Sequence, residues 1–271
     1  MLKYLDMENA TFVLNFSELK DYDDFFKKYS SEMINLNIKR LIIRVDSLLI
    51  KDINNIIKNN VPTGEMLIIF ETKLLNDLDF VLHDNCIIFN DGDIIKNDQV
   101  YSRIMLNDDN GITIKNLLEQ DINVVINVFP DVNEINKFNG QLESLYELCV
   151  GYDINLDGYL VSTDLMKEHP CNSYLCNGDR CHKKVSGLPK NILINNDWNM
   201  YPHGLCEEGL LIGNLYDKES ITSVLEDYMN LQNYKLFIDL NKSVFIKYVR
   251  NYPFQFFPLT EFIKKEYDSH E

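Results

Sequence analysis

Three cysteines and a histidine crowd one polar stretch, "CNSYLCNGDRCH" over residues 171–182: Cys171, Cys176, Cys181 and His182. Thiolates are good ligands for zinc and for iron–sulfur clusters, and His203 and Cys206 follow as further donors. The C-x4-C-x4-C spacing differs from that of common zinc modules, which pair cysteines at closer intervals. The competing reading is a set of reduced thiols packing as small apolar side chains. Asn, Gly, Asp and Arg surround these cysteines and offer little core to pack into. A metal site, zinc or iron–sulfur, drawn from Cys171, Cys176, Cys181, His203 and Cys206 is therefore the expectation. Cys86 and Cys149 stand in apolar strand and helix patterns, where core packing is expected instead.

A second candidate lies just upstream, in "DINLDGYLVSTD" at 153–164. Asp153, Asn155 and Asp157 offer oxygens at EF-hand spacing, Gly158 suits the turn, Leu160 takes the apolar position and Asp164 closes the loop. Position twelve of such a loop favours the longer Glu, Pro170 would stop the outgoing helix, and no second loop is there to pair with it. A loop running into a strand at 158–162 is the plain alternative to calcium binding. No Gly-rich phosphate cradle and no Ser-His-Asp or Cys-His pairing has a recognisable local context. "NDGD" at 90–93 reads as a turn, and His83 and His169 read as surface or loop residues. Trp198 is the single tryptophan. It is placed at a hairpin tip, either for contact or for local packing.

The elements that must position these groups follow from periodicity. Short, continuously apolar runs at 11–16, 40–45, 66–71, 86–90, 122–129 and 158–162 predict strands of a parallel sheet covered on both faces. Helical spacing appears at 21–37, 51–60, 111–121 and 134–152. Alternation of the two predicts βαβ units, hence an α/β barrel or open sheet. About six strands before residue 165 suit a partial barrel, open on one side. The character changes near residue 166. A hairpin is predicted at 191–204, with its turn at "NDWN", then a helix at 218–231 and a terminal helix at 259–268 capped by Thr260. The stretch 235–252 fits helix or strand. The expected division is 1–165 and 166–271.

Composition limits the function. The chain has 271 residues, of which 45% are hydrophobic, enough for a sizeable core in one or two domains. It carries 42 acidic against 26 basic residues, a net charge of −16. That field disfavours nucleic acid and anionic membranes. No apolar run reaches membrane-span length, and no secretion signal opens the sequence, so a cytoplasmic location with reduced thiols is expected.

The order of features resembles the radical SAM enzymes. "RLIIRVDSLLIKDINNIIKNN" at 40–60 is similar to that family's second strand and helix, with Val45, Asp46, Ser47, Leu48 and Leu49 where Gly-Gly-Glu-Pro is usual. "LIIFETKLLND" and "CIIFNDGDIIKNDQVYSR" are similar to the next two strands, the latter with its downstream Arg103. After the cysteines, Gly187, Ile194, Asp197, Tyr201, Pro202, Gly213 and Asn214 match in kind the SPASM or twitch extension. The resemblance implies a partial TIM-like (β/α) barrel over 1–165, followed by a small SPASM/twitch-like domain over 166–271.

The departures lie at the chemistry. The family's CxxxCxxC loop belongs after the first strand, and "SELKDYDDFFKK" has no cysteine there. Without three thiolates there is no cluster to cleave S-adenosylmethionine, so none is expected to bind. His203 replaces the cysteine of the extension's Tyr-Pro-Cys, and no cysteine follows Cys206. The resemblance then implies a non-catalytic scaffold in the maturation of a ribosomally made peptide. Its partners would be the precursor peptide or another maturation enzyme, such as an ATP-grasp ligase. A metal-dependent peptide-modifying enzyme using the C-terminal cysteines, and a calcium-binding module at 153–164, are the alternatives.

Overall fold

The computed structural model describes residues 7, 10–38, 40–64, 66–73, 75, 78–127, 134–152, 154–157, 160–162, 188–189, 191–202, 205–216, 218–244 and 256–269. Seven parallel strands form its centre in sequence order: β1 (Thr11–Leu14), β2 (Arg40–Arg44), β3 (Leu67–Thr72), β4 (Cys86–Asn90), β5 (Val100–Met105), β6 (Val124–Asn127) and β7 (Asn155–Asp157). On the far side of β1 the sheet continues through β9 (Asn191–Ile194), β10 (Asn199–Pro202) and β11 (Gly213–Asn214). The β9 strand is parallel to β1, with Val13 opposite Leu193, and β10 and β11 complete an antiparallel edge. The hairpin expected in a separate C-terminal unit thus extends the N-terminal sheet. A small sheet pairs β8 (Leu160–Ser162) with β12 (Phe256–Pro258).

Helices α1 (Leu19–Asn35), α2 (Ser47–Asn60), α3 (Gly111–Glu119) and α4 (Ile135–Leu148) follow β1, β2, β5 and β6. In α1 the residues Tyr22, Phe25, Phe26, Tyr29 and Met33 recur at helical spacing and are buried together. Each such ring or long side chain contributes about 1.5–3 kcal/mol on burial. Among the described residues no α-helix links β3 to β4 or β4 to β5. The β5 strand, absent from the strands expected above, occupies the slot between β4 and β6.

Strand alternation divides the core. Phe12, Leu14, Leu41, Ile43, Ile68, Phe70, Ile88 and Ile192 pack with the apolar faces of α1, α2 and α5 (Ile221–Tyr228). Ile104, Val124 and Ile126 pack with α3 and α4. The alternate residues Val13, Ile42, Ile69, Phe89, Val125 and Leu193 form a cluster with no helix residue in it, joined by Tyr101. Parallel strands added in sequence order with right-handed crossovers place their helices on one face, and among the described residues the other face carries this cluster.

The C-terminal half is keyed to α1. The Glu32 carboxylate accepts from the backbone N–H of Ile221 and of Thr222, both at 2.8 Å, and so caps α5 from 189 and 190 residues away. An anion there also suits the positive end of the helix. The Tyr29 hydroxyl lies 2.9 Å from the carbonyl oxygens of Leu215 and Lys218. Helices α6 (Gln232–Val244) and α7 (Leu259–Asp268) pack on each other, where Ser243 donates to Glu266 at 2.6 Å.

Candidate functional site

One side-chain step beyond the inner apolar layer, the same face turns polar. Two residues after Val13, Ile42, Ile69, Phe89, Tyr101 and Val125 come Asn15, Arg44, Glu71, Asp91, Arg103 and Asn127. All six line one cavity of about 960 Å³ at the C-terminal ends of the strands. Strand periodicity puts residues i and i+2 on one face, and the parallel register brings six separate segments to one level.

Four of these residues form a chain of ion pairs. Arg44 Nε is 2.9 Å from Glu71 Oε2, and Arg103 Nη1 is 3.5 Å from Glu71 Oε1. Arg103 then grips Asp91 with two parallel bonds, Nε–Oδ1 at 2.6 Å and Nη2–Oδ2 at 2.8 Å. Glu71 is only 9% exposed. A carboxylate at that depth needs opposite charge and hydrogen bonds, and both guanidinium groups supply them. The fork geometry of Arg103 fixes its own plane as well.

The loops around the cavity are held locally. Asn90, at the end of β4, accepts from Leu75 N–H at 3.0 Å and Gly92 N–H at 3.1 Å, and donates to Asp93 O at 2.8 Å. The "NDGD" stretch is thus a turn organised by its first residue. Asp46 caps α2 by accepting from Leu48 N–H at 3.0 Å. Leu48 is left 83% exposed on the rim.

The β1–α1 connection is short, only residues 15–18. Tyr22, one turn into α1, closes it: its hydroxyl accepts from Phe16 N–H at 3.2 Å and lies 2.9 Å from Phe16 O and 3.2 Å from Arg44 O. Burial pushes the pKa of Tyr22 up to about 12.

Trp198 packs inward. It is 6% exposed. Its ring lies 5.1 Å from Phe16, 6.2 Å from Phe25, 6.4 Å from Tyr29 and 6.2 Å from Tyr216. Its Nε1 donates to Asp21 Oδ1 at 3.3 Å. The β9–β10 turn requires a left-handed backbone at Trp198, φ 61°, a conformation a bulky residue rarely adopts. The aromatic nest offsets that strain, so local packing, not outward contact, is its role.

Of the expected metal ligands, Cys171, Cys176, Cys181 and His203 lie outside the described residues. Cys206 is exposed after β10. Partial desolvation and then Glu207 raise its thiol pKa, while Arg44 and Lys264 oppose them. Among the described residues no group of three or more His, Cys, Asp or Glu side chains stands together as a metal site. Cys86 and Cys149 are buried and free, and burial pushes the Cys86 thiol up to about 12.

In the expected calcium loop, Asn155–Asp157 is drawn into β7 beside Val125–Asn127, and Leu160–Ser162 into β8. Asp153, Gly158 and Asp164 lie outside the described residues. The backbone at positions three to five of that loop is extended by sheet pairing, not curled around an ion. His83 stands in the loop before β4 and is buried there, with Nδ1 accepting from Asn85 N–H at 3.3 Å and its backbone N–H donating to Asn54 Oδ1 at 2.8 Å. It belongs to the packing before β4. His169 lies outside the described residues. Among the described residues no helix is long and apolar enough to cross a membrane.

The polar layer escaped the reading of the sequence, except for Arg103 as a family-like position. The available signal was a polar residue two positions after the inward residue of each strand. No family model matches the chain, and no curated protein matches it in sequence.

Proposed function

We propose that this chain is a non-catalytic, radical-SAM-like scaffold that binds a peptide at the strand-end cavity and serves the maturation of a ribosomally made peptide. The observation that carries this reading is the β1–α1 connection. It spans residues 15–18, contains no cysteine and is closed on itself by Tyr22. A radical SAM enzyme needs a cysteine loop at that point to hold its cluster. The sequential parallel strands, with helices on one face and a polar layer at their C-terminal ends, support a partial barrel whose cavity outlived the cluster.

In this reading the cavity receives a segment of precursor peptide, and the acidic surface steers a basic partner toward it. The partner would be a second maturation enzyme, of which an ATP-grasp ligase is one class. Calorimetric titration of protein purified without oxygen tests the first half of the proposal. No heat of binding with S-adenosylmethionine is expected. Tight binding, with reductive cleavage to 5′-deoxyadenosine, would sink it.

A second reading, a metal-dependent peptide-modifying enzyme, is favoured by the place of Cys206. Its thiol lies within the electrostatic reach of Arg44, a cavity residue. Cys171, Cys176 and Cys181, with Cys206 or His203, would then hold iron or zinc. Near-stoichiometric metal in anaerobically purified protein would support this reading, and metal-free protein with intact peptide binding would reject it.

A further inference from the structure

Four of the cavity's charged groups already satisfy one another. Its lining holds Arg44, Lys73 and Arg103 against Asp46, Glu71 and Asp91, three of each sign in a chain whose net charge is −16. Along the floor the signs alternate from Arg44 through Glu71 and Arg103 to Asp91, each pair in contact. A charged ligand group would have to displace a pair that is partly desolvated, and breaking such a pair is costly. The floor therefore discriminates against either sign at the point of contact.

One polar group in the lining is in a different condition. The Oδ1 atom of Asn127, at the end of β6, is buried and has no hydrogen-bond partner among the described residues. A buried acceptor without a donor is destabilising. An apolar residue at this position would avoid that cost.

We propose that Asn127 is the ligand-reading group of the cavity and that it pairs with an uncharged stretch of peptide backbone. The inference rests on the peptide-binding reading above and adds to it the chemistry of the bound segment. A carboxamide matches a peptide unit donor for acceptor: Oδ1 takes the backbone N–H, and Nδ2 can meet a carbonyl. The paired floor then acts as a filter that excludes charged side chains, while the exposed Leu48 on the rim offers apolar contact. The acidic field acts at longer range, on the partner as a whole.

The test uses the full chain and three pools of short, end-capped peptides: one rich in Asp and Glu, one rich in Lys and Arg, one with neither. Trp198 reports binding by its fluorescence, since its ring lies 5.1 Å from Phe16 of the cavity wall. The uncharged pool should bind about tenfold or more tightly than either charged pool, a difference of about 1.4 kcal/mol. Asn127→Leu should weaken that binding by about tenfold, while its melting temperature stays equal to that of the parent or rises. Preference for a charged pool overturns the inference and leaves peptide binding standing. So does Asn127→Leu with unchanged affinity, or with a melting temperature lowered by several degrees, which would make the amide structural. Silence from all three pools overturns both the inference and the peptide-binding reading.

Discussion

At the strand ends, charged groups meet around an open cavity, whereas on the helix face the seam between α1 and the C-terminal half is closed by aromatic rings and backbone caps. Both regions draw on segments far apart in sequence. The cavity is lined from β1 through β6; ion pairs link β2, β3, β5 and the end of β4, and one amide on β6 has an Oδ1 with no partner among the described residues. The seam joins α1 to the β9–β10 turn and α5 by Trp198, Tyr29 and Glu32, each with its partners in place. Groups answered internally in this way serve stability. In the cavity lining one buried amide oxygen has no partner among the described residues, and the proposed peptide contact uses that group.

Substitution should separate the two regions. The largest loss is expected at the seam: Trp198→Ala removes the ring that offsets a left-handed backbone and empties the nest of Phe16, Phe25 and Tyr29. Unfolding in urea should show a loss of about 3–5 kcal/mol. An unchanged midpoint would remove the seam's claim to be the structural half. Glu71→Ala comes next, at about 2–3 kcal/mol, because two guanidinium groups lose their shared carboxylate. The combined change Arg44→Met, Glu71→Leu and Arg103→Met should cost far less than Glu71→Ala alone, since a paired group replaced whole leaves few charges stranded. Comparing the two melting curves shows whether the chain of pairs is a stability device or a recognition filter.

Alkali offers a third probe. Tyr22 has its folded pKa raised by burial from 10.0 to about 12, and burial also raises Tyr29 and Tyr228. The folded state disfavours the phenolate, so this stabilising contribution is complete below pH 10 and is lost as pH rises through 12. For Tyr22 it amounts to about 3 kcal/mol. Melting temperature followed against pH should fall over that window, and Tyr22→Phe should flatten the fall. The smallest effect is expected from Glu32→Ala, about 1 kcal/mol, from the lost cap on α5. Hydrogen exchange at Ile221 and Thr222 should accelerate in that variant without change at the cavity.

The strands with unbroken apolar runs, β1 through β4 and β6, are legible from the sequence because they are buried on both faces. The hairpin of β9 and β10 is legible from its turn chemistry. The β5 strand is not: "VYSRIM" carries Ser102 and Arg103 in its middle, and no helix precedes it to mark a βαβ unit. The polar layer was hidden for a different reason. Each member is an ordinary polar residue at or near a strand end, and only the register of six neighbouring strands brings them to one level. His83 reads as a surface or loop residue and is a loop residue; its burial is not legible because nothing near it in sequence shows that Asn54 of α2 reaches its backbone. The cysteine stretch was the loudest feature of the sequence, yet it lies outside the described residues, and the polar layer among those residues carries no such signal.

The parallel pairing of β1 with β9 also has a temporal side. On the ribosome β1 can join β2 soon after both have emerged, but Thr11 meets Asn191 only after the long segment between them has been made. Until then β1 presents a bare row of N–H and C=O groups, the condition that invites strand exchange with a neighbouring nascent chain. Contacts of such long sequence separation also slow folding. The aromatic nest around Trp198 thus doubles as a latch that the growing chain reaches late, and conditions that delay it, such as fast synthesis at high temperature, should favour inclusion bodies over soluble protein.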